Sequence, residues 1–221
     1  MNGNYDSSKK CVIVASGDLG EPDLFRKYKD RFAIFVDGGL RYAQSLSMKP
    51  DLIIGDMDSF MGDPYSFGCE VIEHDSIKDD TDTGLAVKYA IEHGFDDIVI
   101  LAGIGSRLDH TFANIQTLAF AAKKGVCAKL DGGNNFVFVT KKSPIIFDKI
   151  KGSYISIFAF DNCVSGVTLK GMKYPLENAV LSNSFPIGVS NECVFDSCQI
   201  AFDHGLLMVI VSSDADLTNL H

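Results

Sequence analysis

Residues 97 to 135, DIVILAGIGSRLDHTFANIQTLAFAAKKGVCAKLDGGNN, decide the fold. The segment opens on a short β-branched run, Asp97 to Leu101, of the kind that makes a strand buried on both faces. A glycine-broken loop follows. From Asp109 to Lys124 apolar positions then recur three or four apart, which puts Phe112, Ile115, Leu118 and Ala122 on one helical face. A second apolar run, Val126 to Leu130, completes a strand, helix, strand unit, the building block of parallel sheets. At Asp131-Gly-Gly-Asn-Asn135 the helical period stops, and the turn residues there mark a change of architecture.

Upstream, the same alternation extends back to Cys11. Strands are expected at Cys11 to Ala15, Phe32 to Val36, Leu52 to Ile54 and Glu70 to Ile72, with helices at Gly39 to Met48 and Asp82 to His93. Downstream, β-branched and aromatic runs follow one another without helices: Phe136 to Thr140, Ile145 to Phe147, Tyr154 to Phe160, Val164 to Leu169, Ile200 to Phe202 and Leu206 to Val211. The reading is therefore α/β plus all-β. An N-terminal α/β domain with a mostly parallel sheet (residues 1–131) precedes a C-terminal antiparallel β-sandwich domain (residues 132–221).

The 221 residues are 46% hydrophobic and 22% charged, ample for a packed core and inconsistent with disorder. The longest apolar stretches are strand length, so no membrane span is expected, and the polar start Met1 to Lys10 is unlike a signal peptide. Twenty basic against 29 acidic residues give a net charge of −9, which argues against nonspecific nucleic-acid binding. The six cysteines form no C-x-x-C pair and lie among apolar neighbours, the pattern of reduced, buried thiols in a cytoplasmic protein.

In open parallel sheets ligands bind beyond the carboxyl ends of the strands, and the polar residues of this chain gather there. The strand ends run into Ser16-Gly17-Asp18, Asp37-Gly38-Gly39, Gly55-Asp56-Met57-Asp58-Ser59, Lys78-Asp79-Asp80-Thr81-Asp82 and Gly103-Ile-Gly105-Ser-Arg107-Leu-Asp109-His110. Asp56 and Asp58, alternate residues leaving a strand, face the same side and repel one another unless a cation lies between them, which points to a divalent metal. Gly38 and Gly39 either make a turn or bring backbone amides to an anion. Thr81 and Asp109 are each either helix caps or ligand contacts, and Asp82 suits a helix N-terminus or the metal. Arg107 beside a glycine-rich strand end suits phosphate oxygens. No Walker-type loop or G-x-G-x-x-G fingerprint occurs, so phosphate is held another way, and His74, His93, His204 and His221 lack metal-ligand spacing.

These motifs, in this order and at these spacings, resemble the thiamin pyrophosphokinase family: Asp37-Gly-Gly, Pro50-Asp-Leu-Ile-Ile-Gly-Asp-Met-Asp-Ser59, Lys78-Asp-Asp-Thr-Asp82 and Gly105-Ser-Arg-Leu-Asp-His110. Gly171-Met-Lys-Tyr-Pro-Leu176 and Ser190-Asn-Glu192 resemble the family's later motifs, with Tyr174 where some members carry tryptophan. The resemblance implies Mg2+-dependent transfer of pyrophosphate from ATP to the thiamine hydroxyl, giving thiamine diphosphate and AMP. It implies a homodimer whose active site is shared between subunits. It also implies Asp56, Asp58 and Asp82 as metal ligands, with Arg107 at the nucleotide; from the chemistry, Arg107 stabilises charge on the transferring group and Asp82 or Asp56 is the candidate base. Asp37, Gly38, Gly39, Ser59, Lys78, Asp79, Thr81, Asp109 and His110 would contact the nucleotide and substrates, and Ser190 and Asn191 the thiamine. Two other readings stay open: pyrophosphate transfer to a hydroxymethylpterin, and a metal-nucleotide sensor without turnover. A phosphatase of the haloacid type is a weaker one, since its Asp-x-Asp follows the first strand.

Overall fold

The structure is a computed structural model that describes residues 9–20, 23–46, 48–74, 80–105 and 107–213. The strands are β1 Lys10–Val14, β2 Phe32–Val36, β3 Leu52–Gly55, β4 Glu70–Glu73, β5 Asp97–Leu101, β6 Cys127–Asp131 and β7 Asn135–Thr140. They continue with β8 Ile145–Asp148, β9 Ser153–Ala159, β10 Cys163–Lys170, β11 Leu176–Ser182, β12 Ser197–Ala201 and β13 Leu207–Ser213. The α-helices are α1 Asp23–Arg26, α2 Arg41–Leu46, α3 Asp82–Glu92 and α4 Leu108–Lys123.

Nine strands form one continuous sheet in the order β4-β3-β2-β1-β5-β6-β7-β13-β9. β4 through β6 of that order pair in parallel, and the remaining pairs are antiparallel. Four more strands, β11-β10-β12-β8, make a second, antiparallel sheet. The mostly parallel and the antiparallel halves are thus joined through a shared sheet, and the turn at Gly132 to Asn134 lies within it, between β6 and β7.

One face of the large sheet packs against α3 and α4: Ile13, Ile34, Ile54, Ile98, Ile100 and Leu130 meet Val87 and Leu118 in one core. The opposite face has two cores. Val12, Val14, Phe35, Ile53 and Leu101 pack with Leu24, Phe25 and Leu40, whereas Phe136, Ile157, Val209 and Val211 pack with Val164, Val167 and Ile200 of the second sheet.

Several local expectations need adjustment. Phe112 is not on the buried face of α4 but is 60% exposed. The buried stripe runs through Asn114, Leu118, Ala121 and Ala122, because the Asn114 side chain donates to the Gly103 carbonyl at 2.8 Å and so fixes the helix's rotation. The helix expected from Gly39 begins as a 3-10 turn over Asp37–Leu40, with α2 following it. β11 was not foreseen, since its burial alternates poorly and Asn178 within it has φ +47°. The six cysteines are free, as expected, but Cys163 is exposed and Cys69 and Cys127 are half-buried.

Candidate active site

The strand order creates a switch point. From β1 the chain builds outward through β2, β3 and β4, then returns to place β5 on the other side of β1. From there the chain leaving β1 goes on to β2 and the chain leaving β5 to β6, on opposite sides, and in α/β sheets this is where a crevice opens. A cleft of about 400 Å3 occupies that position, with Ser16, Asp37, Ser59, Asp82, Arg107 and His110 among its walls.

The backbone at this rim is held in conformations that side chains avoid. Asp37, Met57 and Ala102, each just beyond a strand end, have φ of +43°, +60° and +51°. Left-handed backbone at non-glycine residues costs roughly 1–3 kcal/mol each and persists where the surroundings impose it. Close approach explains two glycines. A Cβ on Gly39 would lie 2.3 Å from the Val14 carbonyl oxygen, and one on Gly55 would lie 3.0 Å from the Asp37 Cβ. Gly39 is therefore required by packing of the turn against β1, whereas at Gly38 a Cβ would meet only Ser16 and Ser59 at ordinary contact distance.

Close packing of Gly55 on Asp37 brings three carboxylates together. Carboxylate oxygens of Asp37, Asp56 and Asp58 lie within 4.8 Å of one another. The Asp58 backbone N–H donates to Asp56 at 3.3 Å, and the Ser59 hydroxyl donates to Asp58 at 2.9 Å. The Asp58 N–H favours the ionised Asp56, but partial burial and the charges of Asp58 and Asp37 outweigh it and raise the Asp56 pKa above the ordinary range. Asp37 Oδ1 is buried without a hydrogen-bond partner. A buried, unpartnered carboxylate oxygen beside two further carboxylates is a donor set that could hold a hard divalent cation.

The ligand set expected from sequence was Asp56, Asp58 and Asp82, with Asp37 as a substrate contact. Asp56 and Asp58 do lie together; Asp37 completes the cluster, and Asp82 lines the cleft outside it. The reason is register. β2 and β3 run parallel with Val36 beside Ile54, so the residues that follow the two strands are neighbours. Asp82 instead opens α3.

Thr81 is a helix cap: its hydroxyl accepts from the Gly84 N–H at 3.1 Å. Asp109 is not a cap. α4 starts at Leu108, and Asp109 in its first turn holds Arg107 at 2.6 Å, both side chains largely in solvent. Arg107 and His110 line the cleft, whereas Lys78 and Asp79 lie outside the described residues.

Sequence reasoning missed Arg41, another cleft cation. Its guanidinium donates to the Ser16 and Gly17 carbonyls at 2.7 and 3.1 Å, and Tyr42 reinforces the same loop with a hydroxyl bond to Gly17 at 2.6 Å. Its place two residues after Asp37-Gly-Gly, on the turn entering the rim, was the available signal.

Ser190 and Asn191 do not line this cleft. Ser190 is exposed with φ +56°, its N–H donating to the Ser156 hydroxyl at 3.0 Å. Asn191 is buried and clamps the loop before β11: it accepts from the Tyr174 N–H at 2.9 Å and donates to the Tyr174 carbonyl at 2.7 Å. The Glu192 N–H also donates to its oxygen, at 3.0 Å.

Comparison with known proteins covers both halves of the chain. Residues 26–130 match the thiamin pyrophosphokinase catalytic domain and residues 142–207 the thiamin pyrophosphokinase vitamin B1 binding domain. Thiamine pyrophosphokinase of Bacillus subtilis is 32% identical over 214 residues, covering 93% of this chain and all of the relative. A crystal structure of thiamine pyrophosphokinase from Bacillus subtilis superposes with TM-score 0.85 at 28% identity, over 93% of this chain and all of that one. Yeast thiamin pyrophosphokinase, at 15% identity, shares the fold with TM-score 0.79 over 99% of this chain and 90% of its own. Two matched domains and a relative aligned from end to end lead to one conclusion: this chain belongs to the thiamin pyrophosphokinase family.

Proposed function

We propose that this chain, as a member of an ATP-dependent pyrophosphotransferase family, moves the pyrophosphoryl group of ATP onto the thiamine hydroxyl in the switch-point cleft, releasing AMP. The observation that carries the site assignment is the Asp37, Asp56 and Asp58 cluster with its unpartnered buried oxygen. These three residues would hold Mg2+. When bound, the ion neutralises phosphate charge and aligns the reactants.

The protein's own groups have distinct tasks in this reading. Arg107 and Arg41, both lining the cleft, carry the cationic charge that stabilises the transferring phosphates. Asp109 keeps Arg107 oriented and raises its pKa through a direct hydrogen bond, so the guanidinium is charged at every working pH. Asp82, at the start of α3 and outside the carboxylate cluster, is the candidate acceptor for the hydroxyl proton. Asn191 is a positioning residue: it fixes the Tyr174 loop and with it the exposed Tyr174 ring.

The thiamine contacts on the β-sandwich lie outside this chain's own cleft, which favours a homodimer in which one subunit's sandwich meets the other's cleft. The occupant of the sandwich's exposed apolar surface, including Tyr174, Phe185, Ile187 and Val189, would then be a second copy. No helix among the described residues is long and apolar enough to cross a membrane.

ATP labelled at the β-phosphorus, supplied with thiamine and Mg2+, tests the reaction. Label should pass to thiamine diphosphate with stoichiometric AMP. ADP as first product, or label retained in the nucleotide, overturns the reading. Hydroxymethylpterin in place of thiamine should accept nothing.

A further inference from the structure

Consecutive carbonyls of the turn that leaves β5 are taken by two different elements. The Ala102 carbonyl accepts from the Gly17 N–H at 2.8 Å, in the loop after β1, and the Gly103 carbonyl accepts from the Asn114 side chain at 2.8 Å, on α4. Ala102 has φ +51°, left-handed backbone that an alanine keeps only where its surroundings impose it. Neighbouring positions leave the turn little room. A Cβ on Gly103 would lie 2.5 Å from Leu130 Cδ2, and one on Gly17 would lie 2.4 Å from the Ala102 carbonyl oxygen.

Asn114 is the polar member of an apolar stripe. The buried residues of α4 are otherwise Leu118, Ala119, Ala121 and Ala122, and Asn114 lines the cleft as well. A carbonyl can only accept, so it is the amide nitrogen that faces Gly103, and an apolar side chain of the same shape would lose the bond. What the bond fixes extends past the turn. Gly17, held by Ala102, offers its own carbonyl to Arg41 at 3.1 Å and to the Tyr42 hydroxyl at 2.6 Å. Two residues beyond Gly103, the Gly105 N–H donates to the Thr111 hydroxyl of α4 at 3.3 Å. The Ala102-Gly103 turn therefore joins the two lips of the cleft, the loops that follow β1 and β5.

We infer that Asn114 is a positioning residue for the nucleotide: from α4 it holds the strained Ala102-Gly103 turn in the shape that sets the spacing of the two lips and the place of Arg41. This rests on the reading of the cleft as the ATP site. Asn114 acts through the turn and not on the reacting atoms. With the bond in place the left-handed backbone is formed on folding, so ATP binding does not have to impose it, and the cleft is preorganised.

Equilibrium titration of the full chain with ATP in the presence of Mg2+ reads the effect without turnover. Asn114→Leu, which keeps the branched shape and loses the donor, should weaken ATP binding about tenfold, and in steady-state assays the KM for ATP should rise more than the KM for thiamine. Asn114→Ala should act in the same direction and reports even if Asn114→Leu does not fold. The deciding change is Ala102→Gly, since glycine adopts left-handed backbone without strain. Added to either variant, it should restore ATP binding by about threefold or more, because the turn then needs less holding, whereas a residue that only filled the core would show no such rescue. Unchanged ATP affinity in the folded variants, or a loss that Ala102→Gly does not relieve, overturns the inference and leaves the cleft reading intact. Absence of ATP binding by the wild-type chain overturns both.

Discussion

Two groups of aspartates on this sheet are treated in different ways. At the cleft, Asp37, Asp56 and Asp58 crowd together, and one buried oxygen has no partner. Beside β5 and β6, Asp97 and Asp131 are instead paired with cations, Arg31 and Lys129 for the one and Lys27 for the other, and accept hydrogen bonds from Arg31 and Tyr28, although Asp97 Oδ1 is likewise buried without a hydrogen-bond partner. The first group is repulsive and costs stability in the absence of a cation; the second is an ion-pair network that ties the segment between α1 and β2 to β5 and β6. Carboxylates clustered with one another thus point to function, and carboxylates paired with cations point to architecture.

The sharpest way to break this comparison is to neutralise one member of each group. Asp58→Asn should lower kcat by at least about 10^2-fold, because it removes a charged oxygen ligand from the proposed metal. Its thermal midpoint should stay the same or rise, since like-charge repulsion is relieved. Near-normal kcat at saturating Mg2+, or a loss of stability matching the loss of activity, would remove the distinction.

Asp97→Asn should do the reverse, destabilising the fold by about 2–3 kcal/mol in denaturant melts while the folded fraction keeps its kcat. Burial alone would raise the Asp97 pKa, but Arg31 and Lys129 more than offset it and hold the carboxyl below the ordinary value. Its contribution is therefore complete above the unfolded value near 3.9 and is lost as pH falls through the lower, folded one. Wild-type stability should fall across that acid window, and Asp97→Asn should lack that part of the slope.

Smaller effects sharpen the picture within the cleft. Arg107→Ala should raise the KM for ATP about tenfold or more with no change in thermal midpoint, because its side chain is 70% exposed and pairs with the equally solvent-facing Asp109. Asn191→Ala should loosen the Tyr174 loop and raise the KM for thiamine more than it lowers kcat, with Asn191→Asp recovering part of the loss through the retained acceptor. Thr81→Ala should cost about 1 kcal/mol of stability, the usual value of a lost N-cap, and leave KM for ATP near wild type. A large KM effect there would return Thr81 to the nucleotide contacts.

Much of this was legible in the chain itself. Strand and helix periods are local signals, so β2 and β5 fall on the residues expected, Phe32–Val36 and Asp97–Leu101, and α3 and α4 begin within a residue of expectation. Asp56 and Asp58 are two residues apart, and spacing alone brings them together. The ordered motifs from Asp37 to His110 pointed to the family. What escaped was chosen by distant parts of the chain. The rotation of α4 that leaves Phe112 in solvent depends on a bond from Asn114 to Gly103. Whether Thr81 caps a helix or meets a ligand depends on where α3 starts, a matter of one residue.

The sequence by itself determined the elements, their α/β then all-β succession, and a rim of aspartates, glycines and an arginine after the strands. Only the tertiary structure decided which of those residues meet. Strand order placed β2 beside β3 and β1 beside β5, which put Asp37 with Asp56 and Asp58, opened the cleft, and left Asp82 on its wall. The same strand order brings Lys10, Lys27, Arg31, Asp97 and Lys129 around one cavity from across 120 residues. The physical reason is that a helix or strand is written in neighbouring residues, whereas strand pairing is settled by burying every apolar face at once, and that optimum leaves no local trace.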